Sequence, residues 1–268
     1  MLETILIVGC GNMGGAMLAG WLAGGLAPSR FTVVDPVLAK APTGVTLLRE
    51  LPQGAAFDAV LLGIKPQMLG DLAPSIAPFA RGDTTVLSIL AGVELETLAA
   101  RFPDAGALVR MMPNLAAAIG KSPIALAGQG LDHAGKAEVT ALLAPLGTPE
   151  WLASESLFDV VTALAGSGPG FVYRFIDALA SGASALGLDP AQAQRLALAT
   201  VEGASLLAAA SPHSPAELAD RVASPGGTTR AGLDVLDADK ALARLIEATL
   251  RAASDRGAEM ARTARSQG

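Results

Sequence analysis

Thr4-Ile5-Leu6-Ile7-Val8 is a short, β-branched apolar run, and it leads directly into Gly9-Cys10-Gly11-Asn12-Met13-Gly14. A run of this kind, without polar alternation, predicts a strand buried on both faces. Ala16, Met17, Leu18, Trp21 and Leu22 then recur at helical spacing until Gly24-Gly25 ends the pattern. A strand, a G-x-G-x-x-G turn and a helix in immediate succession constrain the fold more than any other stretch. The first glycine permits the tight turn, the second lets backbone approach a pyrophosphate, and the third lets helix pack on strand. N–H groups at the helix start favour an anion. Gly9, Gly11, Asn12, Met13 and Gly14 are therefore the expected contacts of a dinucleotide. A glycine-rich turn with no ligand is the structural alternative.

More strands follow at regular intervals. Phe31-Thr32-Val33-Val34 predicts the second, ending at Asp35. An acid at that strand end suits an adenosine ribose 2′-hydroxyl and would repel the 2′-phosphate of NADP. Lys40 and Arg30 are the nearby basic residues for such a phosphate, so NADH and NADPH both stay open. Asp35 also suits a cap on the turn at Pro36. Residues 58–64 predict the third strand, followed by Lys65-Pro66. A turn there lies at the carboxyl edge of a parallel sheet, where ligands bind. Lys65 is placed for a phosphate or ribose, although a solvated loop lysine is the plainer reading. Residues 85–89 predict the fourth strand, with Ala91-Gly92 small enough to lie against a nicotinamide ribose and Glu94 and Glu96 opening a helix. Residues 108–112 predict the fifth, ending in Pro113-Asn114, and 123–127 the sixth. A helix at 135–143 and an edge strand at 149–152 complete the series. The alternation predicts an α/β fold whose N-terminal domain, 1–158, is a doubly wound parallel sheet.

From Leu157 onward no strand pattern appears. Residues 171–187, 192–210, 216–222 and 241–260 carry helical periodicity, so 159–268 is expected to be an all-helical domain. Its apolar faces exceed what a monomer of this size would bury, which predicts a homo-oligomer. Ala165-Gly166-Ser167-Gly168-Pro169-Gly170 leads into this domain as a second glycine-rich helix start; it suits either the active cleft or a plain hinge. Between two of the helical patterns lies Ser224-Pro225-Gly226-Gly227-Thr228-Thr229, ahead of a helix that starts near Arg230. A Pro-Gly-Gly turn feeding a helix aims backbone N–H groups at one place, which suits a small carboxylate. Thr228 and Thr229 add hydroxyls beside it. Helix capping by these hydroxyls is the competing reading.

The 268-residue chain carries a formal net charge of −6, which argues against nucleic acid or an anionic membrane surface as the main partner. One cysteine, Cys10, excludes an internal disulfide, and two distant histidines, His133 and His213, argue against a metal site. The apolar N-terminus imitates a signal peptide, but Glu3 replaces a basic start and glycines interrupt the run. No apolar stretch reads as a membrane span. A cytoplasmic location is expected.

Taken together, these motifs resemble the pyrroline-5-carboxylate reductases, which catalyse the last step of proline synthesis. The resemblance runs over nearly the whole chain. It rests on Gly9 to Gly14, Ile64-Lys65-Pro66, Ala91-Gly92-Val93, Arg110-Met111-Met112-Pro113-Asn114, Gly166-Ser167-Gly168-Pro169 and, above all, Val222 to Thr229. It implies a Rossmann domain followed by a helical domain forming an intertwined dimer, and often a ring of dimers. It implies that Ile64, Lys65, Pro66, Ala91, Gly92 and Asn114 join the cofactor contacts. Ser224, Gly226, Gly227 and Thr228 would hold the substrate carboxylate with Asn114, and Thr229 would reach the ring nitrogen as the catalytic residue. NADPH is the cofactor implied, with NADH left open by Asp35. A 3-hydroxyacid dehydrogenase would need a lysine on the first long helix after the junction, where 171–187 offers Arg174 and no lysine. A cofactor-sensing protein without turnover would have no use for the turn at 224–229.

Overall fold

The computed structural model describes residues 2–266, side chains at 260, 261 and 263–266 excepted. Among these residues two compact units are distinguished: 2–166 with 253–266, and 167–252.

The first unit is built on one eight-stranded sheet of order β3-β2-β1-β4-β5-β6-β7-β8. The strands are β1 (Ile5–Val8), β2 (Phe31–Val34), β3 (Thr46–Leu48), β4 (Ala59–Leu62), β5 (Thr85–Ser88), β6 (Ala107–Met112), β7 (Ser122–Gln129) and β8 (Gly147–Trp151). β1 to β6 are mutually parallel, so their carboxyl ends share one edge. β7 runs antiparallel to β6 and parallel to β8. The expected doubly wound parallel sheet is thus present, with one antiparallel pairing, β6 with β7. A short connection through a 3-10 turn at Leu115–Ile119 links β6 to β7, and a connection this short returns a chain antiparallel rather than crossing over.

Alternation along each strand divides the core. Ile5, Ile7, Phe31, Val33 and Leu61 face one side; Leu6, Val8, Val34, Val60 and Leu62 face the other. Helices cover both faces, as a two-sided apolar sheet requires. On the first face lie α1 (Asn12–Ala23) and α4 (His133–Leu143), joined by a bond from Trp21 Nε1 to the Leu142 carbonyl, 2.7 Å. Trp21 also stacks on Phe31 with ring centroids 5.3 Å apart. α2 (Leu69–Ile76) and α3 (Leu95–Arg101) cover the second face. The unit continues through a short helix α5 (Phe158–Val161) and a π-helical turn, Thr162–Gly166.

The second unit is helical: α6 (Gly168–Ala185), α7 (Pro190–Ala210), α8 (Pro215–Arg221), α9 (Thr228–Asp237) and the start of α10 (Ala241–Ser266). Its own buried cluster is small, namely Ala180, Ala193 and Ala197 with Ile176 and Ala183 against them. Tyr173, Leu196, Leu207 and Leu245 are all more than half exposed. No described helix is long and apolar enough to cross a membrane.

Candidate active site

The glycine-rich loop sits at the shared carboxyl edge. Gly9 has φ +86°, a conformation natural to glycine alone. Its N–H donates to the Val34 carbonyl, 2.9 Å, while the Gly63 N–H donates to the Val8 carbonyl, 2.8 Å. The two glycine backbones nearly touch: a Cβ on Gly63 would lie 2.3 Å from the Gly9 oxygen. A Cβ on Gly14 would lie 2.9 Å from that same oxygen, which is why α1 begins so close to the loop. Gly11 is different, because a Cβ there meets nothing within 4 Å. Gly11 is also the N-cap of α1 and offers no side-chain bond to the first helical N–H groups. Open space over uncapped donors is a cradle for an anion. The residues present thus fit the pyrophosphate of a dinucleotide.

Other predicted cofactor residues share this edge. Ile64, Lys65 and Pro66 follow β4, with Lys65 exposed before a 3-10 turn. Ala91 and Gly92 follow β5, Gly92 at φ +75°. Asp35 follows β2, and its carboxylate is committed within the protein. One oxygen accepts from the Cys10 N–H, 2.8 Å; the other accepts from the N–H groups of Val37, 2.8 Å, and Leu38, 2.9 Å. Burial alone would raise the Asp35 pKa, but these three donors and the nearby Arg49 charge outweigh it and keep the carboxyl below its usual range. Asp35 thus caps the Pro36 turn and ties it to the glycine loop. The neighbouring Cys10 thiol is pushed up to about 11 by burial, then by the Asp35 charge.

Arg30, expected near a cofactor phosphate, lies elsewhere. It precedes β2, donates to the backbone oxygens of Leu2 and Glu3 and pairs with the Glu3 carboxylate at 3.4 Å. That is the amino edge, opposite the glycine loop, so a 2′-phosphate is out of its reach.

Asn114 follows β6 and is buried. Its side-chain oxygen accepts from the Ala116 N–H and its amide donates to the Ala165 carbonyl, both 2.9 Å. The resemblance gave Asn114 contacts to both ligands; the bonds seen hold the protein's own loops. The sequence reading also missed the pair made by Arg110, on β6. Buried Arg110 meets Glu155 at 2.8 Å and lies 4.2 Å from the Phe158 ring centroid, while Glu155 also accepts from the Leu95 N–H. This clamp fixes the segment leading to α5, and an arginine in the middle of an apolar strand was the signal for it.

In the second unit, the turn at 224–229 has a well-defined cause. Pro225 and Gly226 occupy the central positions of a four-residue turn closed by the Gly227 N–H on the Ser224 carbonyl, 2.9 Å. Gly226 takes φ +71°, which a type II turn demands at that position. Gly227 is then the N-cap of α9 and supplies no side-chain bond to the helix. Among the described residues, the hydroxyls of Ser224, Thr228 and Thr229 have no hydrogen-bond partner, and all three residues are exposed. The hydroxyls therefore do not cap this helix. Free N–H groups and free hydroxyls remain at the start of a helix of 10 residues, an arrangement able to bind a carboxylate and to touch an atom beside it. An ion pair from Arg230 to Asp220, 2.8 Å, links residues on either side of the turn.

Comparison with known proteins gives a consistent assignment. Residues 155–260 match a family described as pyrroline-5-carboxylate reductase dimerisation, and residues 4–92 match one described as NADP oxidoreductase, coenzyme F420-dependent. The chain is 32% identical to the pyrroline-5-carboxylate reductase of Pseudomonas aeruginosa over 264 residues, 96% of each chain. It is 40% identical to that of Synechocystis over 206 residues, covering 76% of this chain and 75% of the other. A solved pyrroline-5-carboxylate reductase from Coxiella burnetii superposes with a TM-score of 0.90 at 29% identity, covering 97% and 98% of the two chains. With such a relative 32% identical over 96% of each chain, the chain belongs to the pyrroline-5-carboxylate reductase family.

Proposed function

We propose that this protein reduces 1-pyrroline-5-carboxylate to L-proline with NADPH. The observation that carries the reading is the start of α9: uncapped N–H groups beside the hydroxyls of Ser224, Thr228 and Thr229, which have no partner among the described residues. The names of its relatives support the reaction, and the family match over 4–92 supports NADPH over NADH. Gly9 to Gly14 receive the pyrophosphate, with Ile64, Lys65, Pro66, Ala91 and Gly92 along the same edge. Asn114 positions the loop after β6 through the bonds it makes to Ala116 and Ala165.

Reduction of a cyclic imine adds hydride to carbon and leaves nitrogen with one more proton than the neutral imine. When bound, NADPH supplies the hydride. The turn at 224–229 holds the substrate carboxylate through N–H groups and hydroxyls. The Thr229 hydroxyl orients the ring nitrogen and relays a proton from water. A pyrroline nitrogen is basic enough to arrive partly protonated, so orientation counts for more than a strong acid.

Two copies of the chain complete the helical unit. The exposed leucines on α6, α7 and α10, set against a buried cluster of small residues, support that reading, as does the dimerisation family matched over 155–260.

The test is Thr229→Ala beside Thr229→Ser. Losing one oriented hydrogen bond lowers turnover about 10- to 100-fold. The serine variant retains most turnover, and both bind NADPH like the wild type. Wild-type turnover in Thr229→Ala would remove Thr229 from the mechanism.

A further inference from the structure

An acidic residue at the end of β2 ordinarily opposes a 2′-phosphate, yet the proposed cofactor carries one. The bonds around that strand end resolve the conflict. Asp35 turns its carboxylate inward onto three backbone N–H groups. About four lone-pair sites exist on a carboxylate, so little acceptor capacity is left for a ribose hydroxyl.

The adjacent strand presents the opposite charge. Val34 of β2 is in register with Leu48 of β3, and the Asp35 N–H bonds the Leu48 carbonyl, 3.1 Å. Arg49 thus stands beside Asp35 at the carboxyl edge. Its Nη1 donates to the Asp35 carbonyl, 3.0 Å, and to the Leu38 carbonyl, 2.6 Å. Those bonds anchor the guanidinium on the loop that follows β2. Among the described residues nothing bonds its Nε or Nη2, no carboxylate pairs with it, and the side chain is exposed. A guanidinium pinned at one nitrogen and open at the other two is a preorganised fork for a phosphate monoester.

We propose that Arg49 binds the 2′-phosphate of NADPH and sets the preference for NADPH over NADH. The assignment rests on the cofactor reading above and adds to it the residue that discriminates. Sequence reasoning weighed Arg30 and Lys40 for this task. Arg30 is at the wrong edge, and Lys40 is exposed with no anchoring bond among the described residues.

The test measures binding, by fluorescence titration with NADPH and NADH and by displacement with 2′,5′-ADP and 5′-AMP. Arg49→Gln should weaken NADPH and 2′,5′-ADP about 10- to 100-fold, as expected for a lost charged hydrogen bond. NADH and 5′-AMP should stay within about twofold. Arg49→Lys, which keeps the charge without the fork, should fall between for NADPH and leave NADH alone. Equal losses for NADH and NADPH would overturn the assignment, reducing Arg49 to a strut for residues 35–38. No loss for either would also overturn it, and Lys40→Gln would then show whether the phosphate lies on Lys40. Wild-type protein that binds neither dinucleotide would remove the cofactor reading, and this assignment with it.

Discussion

Gly11→Ala separates ligand binding from folding in the glycine-rich loop. Gly11 has φ −71° and ψ −156°, an extended conformation that alanine adopts without strain. A Cβ there meets no protein atom within 4 Å. Two small effects on stability oppose each other. Alanine restricts the unfolded chain and stabilises by roughly 0.4–1 kcal/mol, while it is a poorer N-cap than glycine by roughly the same amount. The net change in unfolding free energy should be within about 0.5 kcal/mol. Binding should respond strongly, since the methyl group enters the space over the uncapped N–H groups of α1. Loss of one charge-assisted bond to the pyrophosphate costs roughly 1.5–3 kcal/mol, so Kd for NADPH should rise about 10- to 100-fold. Gly63→Ala is the control of opposite kind. Its Cβ would lie 2.3 Å from the Gly9 oxygen, a backbone atom that has to move. Overpacking of this kind costs roughly 1–3 kcal/mol of stability before any ligand is present. Urea unfolding and NADPH titration on both variants read the two quantities. A Gly11→Ala protein that binds NADPH like the wild type would refute the cradle, and one that unfolds easily would refute the loop geometry.

Two other variants extend the test. Gly226→Ala forces φ +71° on an L-residue, at a cost of roughly 1–2 kcal/mol, although a Cβ there meets no neighbour within 4 Å. Steady-state kinetics should show a raised KM for the imine with an unchanged Kd for NADPH; an unchanged KM would argue that the turn does not hold the carboxylate. Asp58 supplies a pH signature: one of its oxygens accepts from the Glu3 N–H, the Thr4 N–H and the Thr4 hydroxyl at 2.8–2.9 Å. Burial would raise its pKa, but the Thr4 and Glu3 bonds prevail and lower it. A folded pKa below the unfolded value of about 3.9 means stability that is present above that pH and lost as pH falls through the folded value. Wild type should therefore exceed Asp58→Asn by about 1–2 kcal/mol at neutral pH and lose that advantage in acid; a gap independent of pH would contradict the bonding.

Much of this molecule is legible in the sequence wherever a local pattern has one structural solution. The run from Thr4 through Gly14 to Leu22 is such a case, and β1, the loop and α1 lie where it places them. Pro225-Gly226 likewise announces a turn whose second central residue needs positive φ. β3 escaped because Thr46–Leu48 is a three-residue edge strand, too short for periodicity to register. With β3 unseen, nothing in the sequence singles out Arg49. The direction of β7 is also absent from the sequence, since an apolar run looks the same along either course. Asp35 is instructive in another way. The sequence places an acid at a strand end, but only three dimensions show Cys10, Val37 and Leu38 donating to it. Whether Thr228 and Thr229 cap α9 was equally undecidable from composition, because capping depends on which residue takes the extended conformation. Gly227 takes it, and neither threonine hydroxyl caps the helix.

The central claim is hydride transfer to a carboxylate-bearing cyclic imine, and an isotope experiment reaches it most directly. Purified protein is given pyrroline-5-carboxylate and NADPH deuterated at the transferable position of the nicotinamide, and the product is read by mass spectrometry and proton NMR. The account predicts proline carrying a single deuterium at the former imine carbon, formed at a rate that collapses when the imine lacks its carboxylate. NADPH oxidation without labelled proline, or tight NADPH binding with no oxidation at all, would contradict it.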